Sequence, residues 1–149
     1  MLHLVRTTSD HPDFRALVQL LDHDLAVRDG ADHAFYAQFN KIDTIRHVIV
    51  AYRGGEPIGC GAFKPYGEKQ VEIKRMYVQP THRGQGVAPA VLAALETWAD
   101  ELGYRSCVLE TGLKQPEAIR LYEKSGYQRI PNYGQYAGVE NSVCMEKTL

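Results

Sequence analysis

The sequence lacks long apolar runs and has no excess of charge of either sign. Its 149 residues carry 17 Lys and Arg against 18 Asp and Glu, which gives a formal net charge of −1. No apolar run approaches the roughly 18 residues that a membrane-spanning helix needs. No basic excess is present to hold nucleic acid without sequence preference. We therefore expect a cytoplasmic protein without membrane or nucleic-acid partners, in which any anionic ligand is held by local geometry.

Cysteine is also scarce, and its spacing argues against disulfides and against a metal site. The three residues Cys60, Cys107 and Cys144 are far apart and form no C-x-x-C pair. A zinc site or a disulfide framework is therefore not expected, and the histidines show no ligand spacing that predicts a metal. Hydrophobic residues make up 44% and charged residues 23% of the chain, which suits a single globular domain over residues 1–149.

Hydrophobic periodicity predicts alternating strands and helices without repeats or linkers. Gly54-Gly55 is a hairpin signal between two strands, and after the breaker Gly30 the pattern allows a second short helix that carries Phe35, Tyr36 and Phe39. The order predicts one α+β or mixed α/β layer structure. The predicted elements are a strand at 2–6, a helix from Pro12 through Leu25, strands at 45–53, 57–63 and 71–78, a helix at 87–102, a strand at 104–111, a helix at 116–125 and two strands in the tail.

A glycine-rich segment, Arg83-Gly84-Gln85-Gly86-Val87-Ala88, lies between a predicted strand and a long predicted helix. Two glycines allow a tight turn and the close approach of a ligand, while the N–H groups at a helix start attract an anion. The same hexapeptide is equally typical of a plain helix entry with a solvated Arg83. Val87-Ala88 after the second glycine excludes a Walker loop, and Pro89 excludes a dinucleotide fingerprint.

Two motifs carry a resemblance to a known family. Arg83, Gly86 and Ala88 form an R-x-x-G-x-A pattern after the strand end Met76-Tyr77-Val78. This pattern resembles the acyl-CoA pyrophosphate loop of the GNAT superfamily of N-acetyltransferases. Residues 115–127 resemble the second motif of that superfamily, and one helix and one strand separate the two motifs, as in the family.

The resemblance covers residues 45–149 and departs from the family where Gln115 replaces the usual Asn. It implies an α/β (α+β) fold with a mixed, mostly antiparallel sheet of about seven strands flanked by helices. The sheet would open into a V between the fourth and fifth strands, here 71–78 and 104–111. It implies acetyl-CoA as co-substrate, and the residues implied to bind it are Met76, Tyr77, Val78, Arg83, Gly84, Gln85, Gly86, Val87, Ala88, Gln115, Ala118 and Tyr122.

The implied activity is transfer of an acetyl group to a primary amine of a small molecule or peptide, directly within a ternary complex. A non-catalytic acyl-CoA-binding module on the same fold and a peptide-binding or dimerisation domain are the alternatives. Exposed sheet edges make a homodimer a further prediction.

Tyr122 and Glu72 are the candidate general acid and general base. The alternative for Tyr122 is packing on the sheet with its hydroxyl hydrogen-bonded, and both roles can hold at once, since packing fixes the ring that presents the hydroxyl. Strand periodicity puts Glu72, Lys74, Met76 and Val78 on one face unless a bulge intervenes. The alternative for Glu72 is an ion pair with Lys74 or Arg75, and Glu110 is the reserve base or an amine anchor.

The acceptor is expected to bind between residues 22–40 and 131–138, the two regions that border the acceptor site in the family resembled. Acidic and aromatic side chains there suit a small amine with a cationic or aromatic part. A solvated acidic loop beside core aromatics is the alternative. His82 is expected to touch phosphate rather than act as a base. The acceptor-region candidates are Asp22, Asp24, Asp29, Asp32, Phe35, Tyr36, Tyr133 and Tyr136.

Overall fold

A seven-stranded sheet forms the centre of the protein, in a computed structural model that describes residues 1–30 and 44–149. The strand order is β1-β2-β3-β4-β5-β7-β6, and every neighbouring pair is antiparallel except β4 and β5. The predicted mixed, mostly antiparallel sheet flanked by helices is confirmed, and the described residues contain three α-helices. The elements are β1 Leu2–Thr7, α1 Pro12–Asp29, β2 His47–Arg53, β3 Glu56–Pro65, β4 Gln70–Val78, α2 Val87–Glu101, β5 Ser106–Gly112, α3 Pro116–Lys124, β6 Gln128–Ile130 and β7 Ser142–Thr148.

Helix α1 covers one face of the sheet. It begins where the His11 side chain accepts a hydrogen bond from the N–H of Asp13, with Pro12 in the first turn, where its missing N–H costs nothing. Its apolar stripe includes Phe14 and Val18, which are buried against the centre of the sheet. The predicted helix beyond Gly30, with Phe35, Tyr36 and Phe39, lies outside the described residues.

Helix α2 covers the opposite face, and it packs there through an apolar stripe. Val87, Val91 and Leu95 are buried, whereas Leu102 follows the last helical residue and is 50% exposed. None of the helices in the described part of the chain is long and apolar enough to cross a membrane.

Strand β4 contains a bulge at Arg75. Cys60 pairs with Tyr77 and Ala62 with Lys74, so two steps along β3 oppose three along β4. Arg75 has a φ of 61°, in the left-handed region that non-glycine residues rarely adopt.

The bulge reverses which side chains face which helix. Val71 and Ile73 belong to the core beneath α2 before the bulge, and Met76 and Val78 pack there after it. A single face for Glu72, Lys74, Met76 and Val78 was expected only without a bulge, and the bulge separates the first two from the last two. Glu72 and Lys74 alternate with Val71 and Ile73, so their side chains lie on the α1 side of the sheet. The extra residue at the bulge shifts the two-residue period, and this shift places Met76 and Val78 on the α2 side.

Strands β4 and β5 pair over a short distance only. Gln70–Glu72 pairs with Ser106–Val108, and beyond that point β4 pairs with β3 alone and β5 with β7. A bond from the N–H of Arg105 to the Lys69 carbonyl closes the narrow end. The predicted opening between the fourth and fifth strands is confirmed, and it exposes one backbone edge of β4.

The glycine at position 61 is required by the packing of α2 on the sheet. A Cβ there would lie 2.5 Å from Met76 Sδ and 2.9 Å from Leu95 Cδ1 and Val91 Cγ1. We expect Gly61→Ala to lower the free energy of unfolding by about 1–3 kcal/mol, because overpacking forces the helix or Met76 to shift. Urea unfolding measures the change.

Gly67→Ala is the matched control. A Cβ at Gly67 would meet only the Gln70 side chain, at 3.3 Å from Oε1, and that side chain can move. We expect a change within about 0.5 kcal/mol for this control. Equal losses from both substitutions would contradict the close approach at Gly61.

Candidate functional site

A groove of about 420 Å³ follows the open side of β4, between the start of α2 and α3. Met76, Tyr77 and Val78 form its strand wall, and Gln115, Ala118 and Tyr122 face them from α3 and its N-cap. Residues from both predicted motifs thus line one cavity. The other lining residues are Leu21, Asp24, Arg28, His82, Arg83, Gly84, Gly86, Val87, Ala88, Pro89, Glu117, Arg120, Leu121 and Lys124.

The glycine loop presents backbone donors at one end of this groove. Gly84 and Gly86 have φ values of 74° and 82°, and a side chain at either position would have open space but a strained backbone. The first intrahelical bond of α2 runs from the N–H of Ala90 to the carbonyl of Gly86. The N–H groups of Val87 and Ala88 precede that bond, so they are available to an anion.

Arg83 fastens the loop to the strand. Its Nε donates to the Val78 carbonyl at 2.8 Å, and its guanidinium lies 5.6 Å from the centre of the Tyr77 ring. Gln85 points elsewhere, because its side-chain oxygen accepts from Arg53 and its Nε2 donates to the Thr81 carbonyl. Gln85 is therefore placed outside the groove lining, whereas Arg83 is part of it.

A basic rim that the sequence reasoning missed adds charge to the groove. Arg120 and Lys124 line it from α3, and their four-residue spacing on a helix is the signal that could have found them. His82, which was expected to touch a phosphate, also lines the groove. Arg28 crosses from α1 to α3, where it pairs with Glu117 while lying 3.5 Å from Asp24.

A second, smaller pocket of about 120 Å³ opens on the α1 side of the sheet. It shares five residues with the groove: Leu21, Met76, Gln115, Ala118 and Tyr122. The two cavities therefore meet around the Tyr122 ring. The rest of the pocket wall consists of Leu25, Glu72, Ile73, Lys74, Arg75, Glu110, Thr111, Gly112 and Tyr136.

Tyr122 is both packed and placed at the junction. The residue is 7% exposed, and its ring packs edge-on against Tyr127 with centroids 5.8 Å apart. Burial, with the negative charge of Glu110, raises the pKa of the Tyr122 phenol. The hydroxyl therefore stays protonated at neutral pH and is available as a proton donor.

Glu72 is a buried carboxylate with a fixed orientation. It is 3% exposed, and the Tyr133 hydroxyl donates to its Oε2 at 2.7 Å. Lys74 Nζ lies 3.9 Å from the other oxygen, and burial lowers the pKa of this lysine despite the nearby carboxylate. Burial also raises the pKa of Tyr133, so its phenol keeps the proton that it donates.

The loop that supplies Tyr133 is itself well packed. The Tyr133 ring lies edge-on to Tyr66 at 4.9 Å and to Tyr136 at 5.8 Å between centroids. Asn132 Nδ2 donates to the carbonyls of Val139 and Ser142. These contacts place two tyrosines of the predicted acceptor region, Tyr133 and Tyr136, beside the smaller pocket.

Two of the four acidic residues expected near the acceptor, Asp22 and Asp24, contact arginines of this chain. Arg75 Nη1 donates to Asp22 Oδ1 at 2.7 Å, and Asp24 lies 3.5 Å from Arg28 Nε. The Asp29 side chain lies outside the described part of the chain, as do Asp32, Phe35 and Tyr36. Across residues 1–30 and 44–149, no group of three or more His, Cys, Asp or Glu side chains could hold a metal.

All three cysteines are buried free thiols. Burial raises the pKa of Cys60 to about 12 and that of Cys107 to about 11, and it raises the pKa of Cys144 as well. Because the thiolate rather than the thiol is the nucleophile, none of them is suited to carry an acyl group.

Comparisons with known proteins agree with this geometry. A model of the acetyltransferase (GNAT) family matches residues 14–127. An IAA acetyltransferase from Azospirillum brasilense is 39% identical over 106 residues, which cover 68% of this chain and 67% of that protein. Other relatives are longer, and the chain spans 37% of N-acetyltransferase 8 from Mus musculus and 38% of that from Rattus norvegicus.

Solved structures share the fold over nearly the whole chain. A proposed acyl-CoA N-acyltransferase from Klebsiella pneumoniae is 30% identical, with a TM-score of 0.84 and coverage of 100% of this chain and 98% of that one. A PaiA N-acetyltransferase from Thermoplasma acidophilum, solved with coenzyme A, has a TM-score of 0.73 at 15% identity, with coverage of 100% and 99%. The family match spans more than half of the residues, so the chain belongs to the acetyltransferase (GNAT) family and is an acyltransferase.

Proposed function

We propose that this protein transfers the acetyl group of acetyl-CoA to a primary amine of a small molecule or peptide, by direct attack within a ternary complex. The observation that carries this proposal is the meeting of the groove and the smaller pocket at Tyr122. A thioester that enters along the groove and an amine that enters through the pocket can then react without a carrier residue.

The groove fits the parts of acetyl-CoA, which supplies the activated thioester. Backbone N–H groups of the glycine loop, with the charges of Arg120 and Lys124, suit its phosphates. Beyond Glu72, the edge of β4 that faces β5 has no strand partner in the described residues, and this edge can pair with the pantetheine amides. An N–H on that edge can also donate to the thioester carbonyl as negative charge develops there.

Two proton transfers complete the reaction. The amine nitrogen forms the new C–N bond while the C–S bond breaks, and Glu72 accepts the proton that the nitrogen loses. Because a carboxylate is far too weak a base to deprotonate an alkylammonium directly, the amine reacts as the neutral species or passes its proton through water. Tyr122 donates its proton to the departing thiolate.

Direct transfer is also favoured by the absence of a suitable nucleophile among the cysteines. All three are at most 1% exposed. An acyl-cysteine intermediate would need a thiolate in contact with the groove.

Acetyl-CoA is expected to stabilise the protein, and Gly86→Val to abolish most of that effect. A ligand at about 100 times its Kd adds roughly 2.7 kcal/mol to the free energy of unfolding. Valine at a φ of 82° distorts the loop that presents the backbone donors. Thermal unfolding with and without acetyl-CoA measures the difference.

Gly103→Val is the matched control for this loop. Gly103 also has a positive φ, 91°, with nothing within 4 Å of an added Cβ, but it lies at the other end of α2. Both variants are expected to lose intrinsic stability, and only Gly103→Val keeps the shift caused by acetyl-CoA. Loss of the shift in both variants, or in neither, contradicts the loop assignment.

Tyr122→Phe is expected to lower kcat about 100-fold or more, a typical contribution of a general acid, while the KM for acetyl-CoA changes little. The ring and its packing are retained, so the loss reports the hydroxyl. Tyr104→Phe, which removes a hydroxyl outside both cavities, serves as control in steady-state assays of CoA release. Wild-type kcat in the Tyr122→Phe enzyme would remove Tyr122 from the mechanism.

A further inference from the structure

The Tyr133 hydroxyl links the loop 131–138 to the buried carboxylate of Glu72. It donates to Glu72 Oε2 at 2.7 Å, although the two residues are 61 positions apart in the chain. Burial raises the pKa of Tyr133, so the phenol keeps its proton and remains the donor. A hydrogen bond to an ionised carboxylate is shorter and stronger than one between neutral groups, and it offsets part of the cost of burying the charge. The contact therefore holds one oxygen of a buried carboxylate in a fixed position.

Packing holds the Tyr133 ring in place independently of this hydrogen bond. The ring lies edge-on to Tyr66, which follows β3, and to Tyr136 in the same loop. Gly134 passes close to Tyr66, since a Cβ at position 134 would lie 3.1 Å from the Tyr66 hydroxyl. Asn132 donates to two backbone carbonyls across the loop. None of these contacts uses the Tyr133 hydroxyl, so the ring stays supported when the hydroxyl alone is removed.

The two oxygens of Glu72 have different surroundings. Oε2 accepts from Tyr133, whereas Oε1 lies 3.9 Å from Lys74 Nζ, which is longer than a hydrogen bond. Within the described part of the chain, Glu72 contributes to the wall of the smaller pocket and Tyr133 does not. A carboxylate with one oxygen fixed cannot rotate freely, so its second oxygen is held in one direction as well. Because a general base must lie within hydrogen-bond reach of the proton that it takes, a small rotation lowers the rate steeply.

We propose that Tyr133 is a positioning residue that orients the Glu72 carboxylate for its role as general base. Tyr133 acts through Glu72 and not through contact with the acceptor, a role different from the one that its place in the sequence predicts. The inference rests on the proposed function and deepens it, because it connects the loop 131–138 to the proton transfer from the amine. Without the hydroxyl, Glu72 stays buried but loses its fixed orientation, so the chemical step slows and acetyl-CoA binding does not change.

The test is a double-mutant cycle of Tyr133→Phe and Glu72→Gln. Released CoA thiol is measured with acetyl-CoA and a panel of primary amines, namely benzylamine, putrescine and the carboxamides of the common L-amino acids. The amine with the highest kcat/KM in the wild type is then used for every variant. Glu72→Gln is expected to lower kcat about 100-fold, a typical contribution of a general base.

Tyr133→Phe is expected to lower kcat about tenfold when Glu72 is present, while the KM for acetyl-CoA stays unchanged. In the Glu72→Gln background the same substitution is expected to change kcat by less than about twofold, because no base is left to orient. A contact that served only the stability of the loop would act equally in both backgrounds.

Tyr52→Phe is the matched control. Tyr52 also donates to a carboxylate oxygen, Oδ2 of Asp13 at 2.6 Å, and it is part of the described wall of neither cavity. Each substitution removes one hydroxyl and leaves one carboxylate without its tyrosine donor. Both variants are expected to lose some stability in thermal unfolding and to keep the stabilisation by acetyl-CoA, but only Tyr133→Phe is expected to lose kcat.

The outcomes separate this inference from the proposed function. Wild-type kcat in Tyr133→Phe, with Glu72→Gln impaired, overturns the positioning role and leaves Glu72 as the base. An equal loss from Tyr133→Phe in both backgrounds also overturns it. Wild-type kcat in Glu72→Gln contradicts the base assignment in the proposed function, and the positioning role falls with it. A panel in which no amine is acetylated, or absence of stabilisation by acetyl-CoA, contradicts the proposed function itself.

Discussion

The site depends on where strand β4 stops pairing with β5. The two parallel strands share three residues on each side, and then they separate. From that point the backbone edge of β4 is open on the side where the groove runs, and α3 lies opposite with Tyr122 on its inner face. A fully paired sheet would leave neither a channel for a thioester nor a free N–H to polarise it. The divergence therefore creates both the space and the hydrogen-bond donors.

The bulge at Arg75 divides the work of β4 between the two faces of the sheet. Met76 and Val78 pack beneath α2, while Glu72 and Lys74 lie on the α1 side. The same strand thus supplies wall residues to both the groove and the smaller pocket. The buried polar groups on the α1 side are held by specific contacts, notably the bond from Tyr133 to Glu72 and that from Arg75 to Asp22. Such networks fix side-chain orientation because a misplaced buried charge is costly.

Local sequence patterns predicted the elements and the two motifs well. Pro12, the hairpin glycines and the apolar stripe of α2 act within a few residues of themselves, so spacing alone reveals them. The roles of the individual site residues stay predictions, although most of those named line the groove or the smaller pocket. The bulge could not be predicted, because nothing marks arginine as a residue for a positive φ. Contacts such as Tyr133 with Glu72, 61 residues apart, depend on the strand order and leave no local signal.

In the proposed reaction the acetyl group passes directly between the two substrates where the cavities meet. Intact-mass measurement of the protein after incubation with acetyl-CoA alone tests it most directly, because a carrier residue would become acetylated before any acceptor is added. Direct transfer predicts an unchanged protein mass and no stoichiometric burst of CoA. An adduct with the mass of one acetyl group, formed with an equal amount of CoA and discharged by an added amine, would contradict it.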